Sequence, residues 1–135
     1  MDTSELYARG LRRREKLFGE TDVAARMAAA GEFGAPLQNI INAYVYGDLW
    51  ERSGLTDATR SLVMLGMMAA SGKPTEFRVH AQGALANGCT AAQVQDVLLL
   101  VAMYCGVPAA IEPTRIAAEI FGQGADHAAE PAAKP

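Results

Sequence analysis

Three side chains capable of acid–base and ionic chemistry stand within five residues of one another: Glu76, Arg78 and His80, in EFRVHAQGALANGCT. On a helix Glu76 and His80 are i and i+4, on one face and about 6 Å apart at Cβ. A carboxylate beside an imidazole favours the protonated ring and orients it, which suits general acid–base catalysis. Arg78 lies two residues from each and points to the other side of such a helix. The plainer alternative is a solvated Glu–His pair worth a few tenths of a kcal/mol. Two features weigh against it. His80 is the sole histidine before the tail, and the small residues of AQGALANG after it let another helix or a ligand approach.

These residues need a rigid helix, and the helical period dominates the chain. Residues 3–18 set Leu6, Leu11, Leu17 and Phe18 among charges, with Gly19 as a stop. Residues 22–30 read as a short helix, Gly31 to Pro36 as a break, and 36–50 as a helix with a broad stripe from Leu37 to Leu49. In SGLTD, Gly54 ends that segment and Thr56 is placed to cap the next. Residues 57–71, with LVMLGMMAA, are apolar on nearly all sides. Such a helix is buried all round, or partly by another subunit. Gly72-Lys73-Pro74 breaks the pattern, and the helix carrying His80 runs from there to about Ala86. Asn87-Gly88 stops it; Thr90 caps the following helix with Gln93 at the capping-box position. Residues 91–105 carry a dense apolar face, from Val94 to Cys105. After Gly106 a last helix runs over about 108–121.

No segment shows sustained period-two alternation, so the expected class is all-α, with six or seven helices in one domain over 1–122. The tail 123–135, ending in HAAEPAAKP, reads as disordered. Two nearly all-apolar helices exceed what a small domain can bury alone, which points to contact with another copy of the chain.

Composition narrows the function classes. The chain has 135 residues, half of them apolar, a net charge of −3 and a pI near 5.3. This gives no reason to expect nucleic-acid binding. The arginines of RGLRRREK read as a solvated face or a subunit contact, with an anionic ligand as the other reading. Cys89 and Cys105 form no CxxC and no zinc-spaced cluster, so no metal site is expected, and both read as buried thiols of an intracellular protein. MDTSELYARG is too polar for a signal peptide, and the apolar runs are too short or broken to span a membrane. The expected location is the cytoplasm.

Four stretches, in order, resemble a known family: YARGLRRREKLFGE, YVYGDLWERSGLTDATRSLVMLGMMAA, EFRVHAQGALANGCT and VQDVLLLVAMYCGVPAA. Together they resemble the carboxymuconolactone decarboxylase family, closest to the γ-carboxymuconolactone decarboxylases of the β-ketoadipate pathway, over about residues 7–121. The wider family includes the alkylhydroperoxidase D-type proteins, which carry a CxxC before the family histidine. Matched on that histidine, the two cysteine positions fall on Lys73 and Glu76, so thiol peroxidase chemistry is not available here.

The resemblance implies an all-α fold in a homo-oligomer, a trimer or hexamer, with active sites near subunit contacts. It also implies a reaction: loss of CO₂ from a carboxylated butenolide to give the β-ketoadipate enol-lactone, with no cofactor. When CO₂ leaves, its electrons flow through the ring alkene onto the lactone carbonyl as a dienolate. The enzyme holds the departing carboxylate in a poorly solvated place, stabilises the enolate oxygen and returns a proton to carbon. On this reading His80 donates the proton and Glu76 orients it. Arg78 and Arg60 are the candidates for bidentate binding of substrate carboxylates, with a subunit salt bridge as the competing use of Arg60. Tyr44, Tyr46 and Trp50 are candidate pocket walls, although aromatics at helical spacing are more often core.

The resemblance departs at YCGVPAAIEPTR. Ile111 and Glu112 replace polar Asn and Ser positions, Pro113 enters, and Arg115 stands where a histidine is common. Asp48 replaces a glutamate, and Cys89 a frequent valine. Glu112 and Arg115 are therefore candidate substrate contacts of this chain's own. Two alternatives stay open: a lyase or isomerase acting on another lactone or β-keto acid, and a non-catalytic binder of a small acid.

Overall fold

The computed structural model describes residues 1–122; the expected tail lies outside them. Among the described residues there are six α-helices and no strand, as the periodicity predicts. The chain divides into two compact units, Met1–Thr56 and the part from Asp57 onward.

The first unit holds α1 (Thr3–Phe18) and α2 (Glu20–Ile40). Asp2 caps α1 by accepting from the Glu5 amide at 2.9 Å, and Gly19 ends it at φ 91°. The break expected over Gly31 to Pro36 contracts to one residue. Gly31, at φ 63° and ψ −165°, is non-helical and divides α2 into two helical stretches, a backbone state that costs a glycine little. The helix then widens into a π turn, Ile41–Tyr46, closed by the Gly47 amide on the Asn42 carbonyl at 3.0 Å, and a 3-10 turn follows at Leu49–Glu51.

Helix α1 crosses this π turn backbone against backbone. A methyl added at Gly10 would overlap the Asn42 carbonyl, and one at Gly47 would overlap the carbonyls of Leu6 and Ala43. Three of the four arginines of RGLRRREK, Arg9, Arg13 and Arg14, serve the same crossing. Arg9 Nε donates to the Gly47 carbonyl at 2.9 Å and Arg13 Nη2 to the Trp50 carbonyl at 2.8 Å. They satisfy carbonyls that the end of a helix leaves orphaned. Arg14, 5% exposed, donates to Gln38 Oε1 at 2.8 Å and to the buried Asn42 Oδ1 at 3.0 Å. Of the readings the sequence allowed, an internal cap on a distant segment was not among them.

The second unit holds α3 (Asp57–Ala70), α4 (Pro74–Ala86), α5 (Ala91–Cys105), α6 (Val107–Ala117) and a second π turn (Ala118–Gly122). Pro74 opens α4 at its first turn, and Thr90 and Gln93 form the expected capping box on α5. Leu65, Phe77, Val94, Leu98 and Ile116 form the centre of its core. Helix α3 is not buried on all sides: Ser61, Leu65 and Ala69 face inward, while Val63 and Met67 are 45% and 48% exposed. Cys89 is buried as expected. Cys105 is exposed, a correction to its reading as a buried thiol, because the inward row Val94, Leu98, Val101 of α5 does not pass through it.

Candidate active site

Helix α4 buries Phe77, Ala81, Gly83 and Ala84. At about 100° per residue, His80 falls roughly 60° to one side of Phe77 and Arg78 about 100° to the other. Glu76 and Gly83 share the His80 flank. Glu76 is exposed at the first turn, and His80 is half-buried within the stripe, between the directions of Gly83 and Ala84. This is a position from which an imidazole can meet a ligand on one side and be held by packing on the other.

Arg78 is turned away from this pair, as the spacing predicts. Its Nη1 lies 2.9 Å from Glu119 Oε1, with the two side chains 43% and 58% exposed. Glu119 was not read as a site residue. Its spacing, i+4 from Arg115 and i+7 from Glu112, would align the three on a continuous α-helix, but Glu119 lies in the π turn past the end of α6. Glu112 and Arg115 are both exposed. The structure thus pairs Arg78 with Glu119 of the second π turn rather than with His80.

Arg60 opens α3 with its side chain 12% exposed, 3.5 Å from Asp57 Oδ1. The far end of α4 is pinned to this end of α3, where Asn87 Nδ2 donates to Ser61 Oγ at 2.9 Å and Cys89 Sγ to the Ala58 carbonyl at 3.3 Å. Arg60 therefore sits at the Asn87 end, seven residues or about 10 Å along the axis from His80. Loss of solvent makes a guanidinium a stronger clamp for a carboxylate, so Arg60 is better placed than the exposed Arg78 to hold an anion. Burial pushes the Cys89 thiol above its usual range, which keeps it an inert packing group.

Tyr46 and Trp50 lie in the first unit, 5% and 3% exposed, stacked at 5.8 Å between ring centroids. Phe18 meets Tyr46 edge-on, and the Arg14 guanidinium lies 5.9 Å above the Tyr46 ring. These contacts give both aromatics a packing role. Tyr44 is 46% exposed. Among the described residues no group of three or more His, Cys, Asp or Glu is placed to hold a metal ion, and no helix is long and apolar enough to cross a membrane.

An all-helical chain of this pattern has a defined place among known proteins. It belongs to the carboxymuconolactone decarboxylase family, whose sequence model matches residues 35–119. It is 31% identical over 121 residues to the 4-carboxymuconolactone decarboxylase of Acinetobacter baylyi, covering 90% of each chain. It is also 33% identical over 107 residues to the nitrosuccinic acid decarboxylase of Metarhizium robertsii, covering 79% of this chain and 75% of the relative.

Proposed function

We propose that this chain is a carboxy-lyase that converts 4-carboxymuconolactone to the β-ketoadipate enol-lactone in aromatic-compound degradation, working as a cytoplasmic homo-oligomer. The carboxy-lyase class rests on what the two curated relatives have in common, since both are named decarboxylases. The observation that supports the site assignment is the shared flank of Glu76 and His80, in the arc between the buried Gly83 and Ala84 of α4. His80 returns the proton to carbon, and Glu76 orients the ring. Arg60 holds a carboxylate that stays on the substrate, and its low exposure strengthens that hold. The electrons left by CO₂ come to rest on the lactone carbonyl.

The second relative favours a second reading: an acyclic acid whose carbanion is held by a group such as nitro instead of a lactone. The chemical demand is the same, namely a dry seat for the departing carboxylate and a proton donor for the carbon it leaves. The Ile111–Arg115 segment, where this chain departs from the lactone decarboxylases, is consistent with such a change.

Proton NMR in D₂O with enzymatically generated lactone tests the proposal. Enol-lactone should form well above a no-protein control, with one deuterium on carbon. His80→Ala should keep the fold and lower kcat by roughly 100- to 10,000-fold, the usual contribution of a positioned general acid. No turnover of the lactone by folded protein, with CO₂ released from nitrosuccinic acid, would replace the first reading by the second.

A further inference from the structure

The groove between α5 and α6 takes no part in the site built on α4. It is open and about 780 Å³ in volume, and no residue of α4 is among the described residues that line it. One residue, Gly106, separates the two helices, so α6 returns along α5. Ala102 and Val107 line the groove at that turn, and Ala91 and Phe121 at the far end. Leu98 and Ala110 are buried in its floor, and Leu99 and Ile111, 63% and 49% exposed, form its lips. Its polar side chains, Gln95, Thr114 and Arg115, gather at one level. Gln95 lies eleven residues before Gly106, and Thr114 and Arg115 lie eight and nine after it, which sets them within about one turn of each other. Arg115 is the one charged residue among the described residues that line the groove, and it is exposed. Among the described residues no ion pair holds it. Apolar walls with a few grouped polar side chains, in a cleft of this size, are the usual form of a small-molecule site.

We propose that this groove is a second binding site, for a medium-chain aliphatic carboxylate such as octanoate. The carboxylate meets the Arg115 guanidinium, with the Gln95 amide and the Thr114 hydroxyl as further donors. The alkyl chain lies from there toward the turn, over Leu98, Leu99 and Ile111. Length agrees: the nine residues from Gly106 to Arg115 rise about 13 Å, close to the extended length of an eight- to ten-carbon acid. Charge selects an anion over a cationic amphiphile. The apolar walls select a chain over a small hydrated anion, because an exposed ion pair alone is weak and buried methylenes carry most of the affinity. The inference stands apart from the proposed reaction, because it concerns neither His80 nor turnover.

Isothermal titration calorimetry of the full chain with sodium octanoate and with 1-octanol tests it, with circular dichroism to verify the fold of each variant. The wild type should bind one octanoate per chain. Arg115→Glu should weaken octanoate by about fivefold or more, as reversal of one charge in a solvated pair implies, and leave 1-octanol unchanged. Ile111→Glu puts a carboxylate on the lip and should weaken both ligands. Met103→Glu, at a position on α5 that is 80% exposed and outside the groove, should change neither. Absence of octanoate binding by the folded wild type would overturn the proposal, and this includes the case of another copy covering the groove. So would an Arg115→Glu variant that affects both ligands alike or neither, or a Met103→Glu variant that loses as much octanoate affinity as Ile111→Glu.

Discussion

At the scale of single residues, function here depends on which neighbour each side chain meets rather than on its type. Cys89 and Cys105 show this most simply. One is buried with its thiol pushed up by desolvation, and the other is exposed at the end of α5. A raised pKa leaves less thiolate at any given pH, and thiolate is the reactive form. With iodoacetamide at pH 8, Cys105 should be alkylated first and Cys89 only after unfolding, as peptide mass spectrometry would show. Equal rates would mean that the loop at Cys89 opens in the native state. The arginines diverge in the same way. Arg14 is buried under amide oxygens, Arg78 is paired at the surface, and Arg60 is nearly covered beside Asp57. Sequence spacing set Arg78 on a different side of α4 from Glu76 and His80, because all three lie within two turns of one helix. It could not place Arg9 or Arg13, whose acceptors lie 38 and 37 residues away.

At the scale of elements, legibility followed local chemistry. Gly19, Pro74, Asn87-Gly88 and the Thr90–Gln93 box end or begin helices through contacts a few residues long, and each stands where its signal is. The π turns were not legible, because the same apolar residues fill an α or a π turn and distant packing decides between them. The crossing of α1 over the first π turn depends on Gly10 and Gly47, where carbonyls on the facing segment leave no room for a Cβ. No flexible side chain can yield there. Gly10→Ala should therefore cost at least about 3 kcal/mol, the upper range for an overpacked core. A denaturant melt of the variant would read this. A loss below about 1 kcal/mol would show that the two segments can separate without harm.

At the scale of the whole molecule, the excess of apolar helix over what one small domain can bury was visible in composition, and the exposures of α5 bear it out. Leu99, Leu100, Met103 and Tyr104 are all more than half exposed. What lay beyond the sequence was the partition at Thr56, because both units share one helical period and no Pro- or Gly-rich linker marks the join. Residues 51–56 are exposed throughout. Trypsin should therefore cut first after Arg52, giving a fragment that begins at Ser53. A first cut after Arg12, which is exposed but within α1, would show that the join is the better protected of the two. Family membership came from the order of four stretches, and it covers both units, since the matched region runs from residue 35 to 119.

An i→i−5 turn holds one residue more than an α turn, so Ile41–Tyr46 carries one residue beyond what the same stretch would hold in α register. Removing one residue there would restore α register and turn the following chain by about 100° about the helix axis. Tyr46 and Trp50 would then turn together away from Phe18 and Arg14. A related chain built without the bulge should align to this one with a one-residue gap between 41 and 46, and with its aromatic residues displaced to compensate. Gap placement at that point is thus a reading of helix geometry and tells which relatives share this chain's way of seating α1.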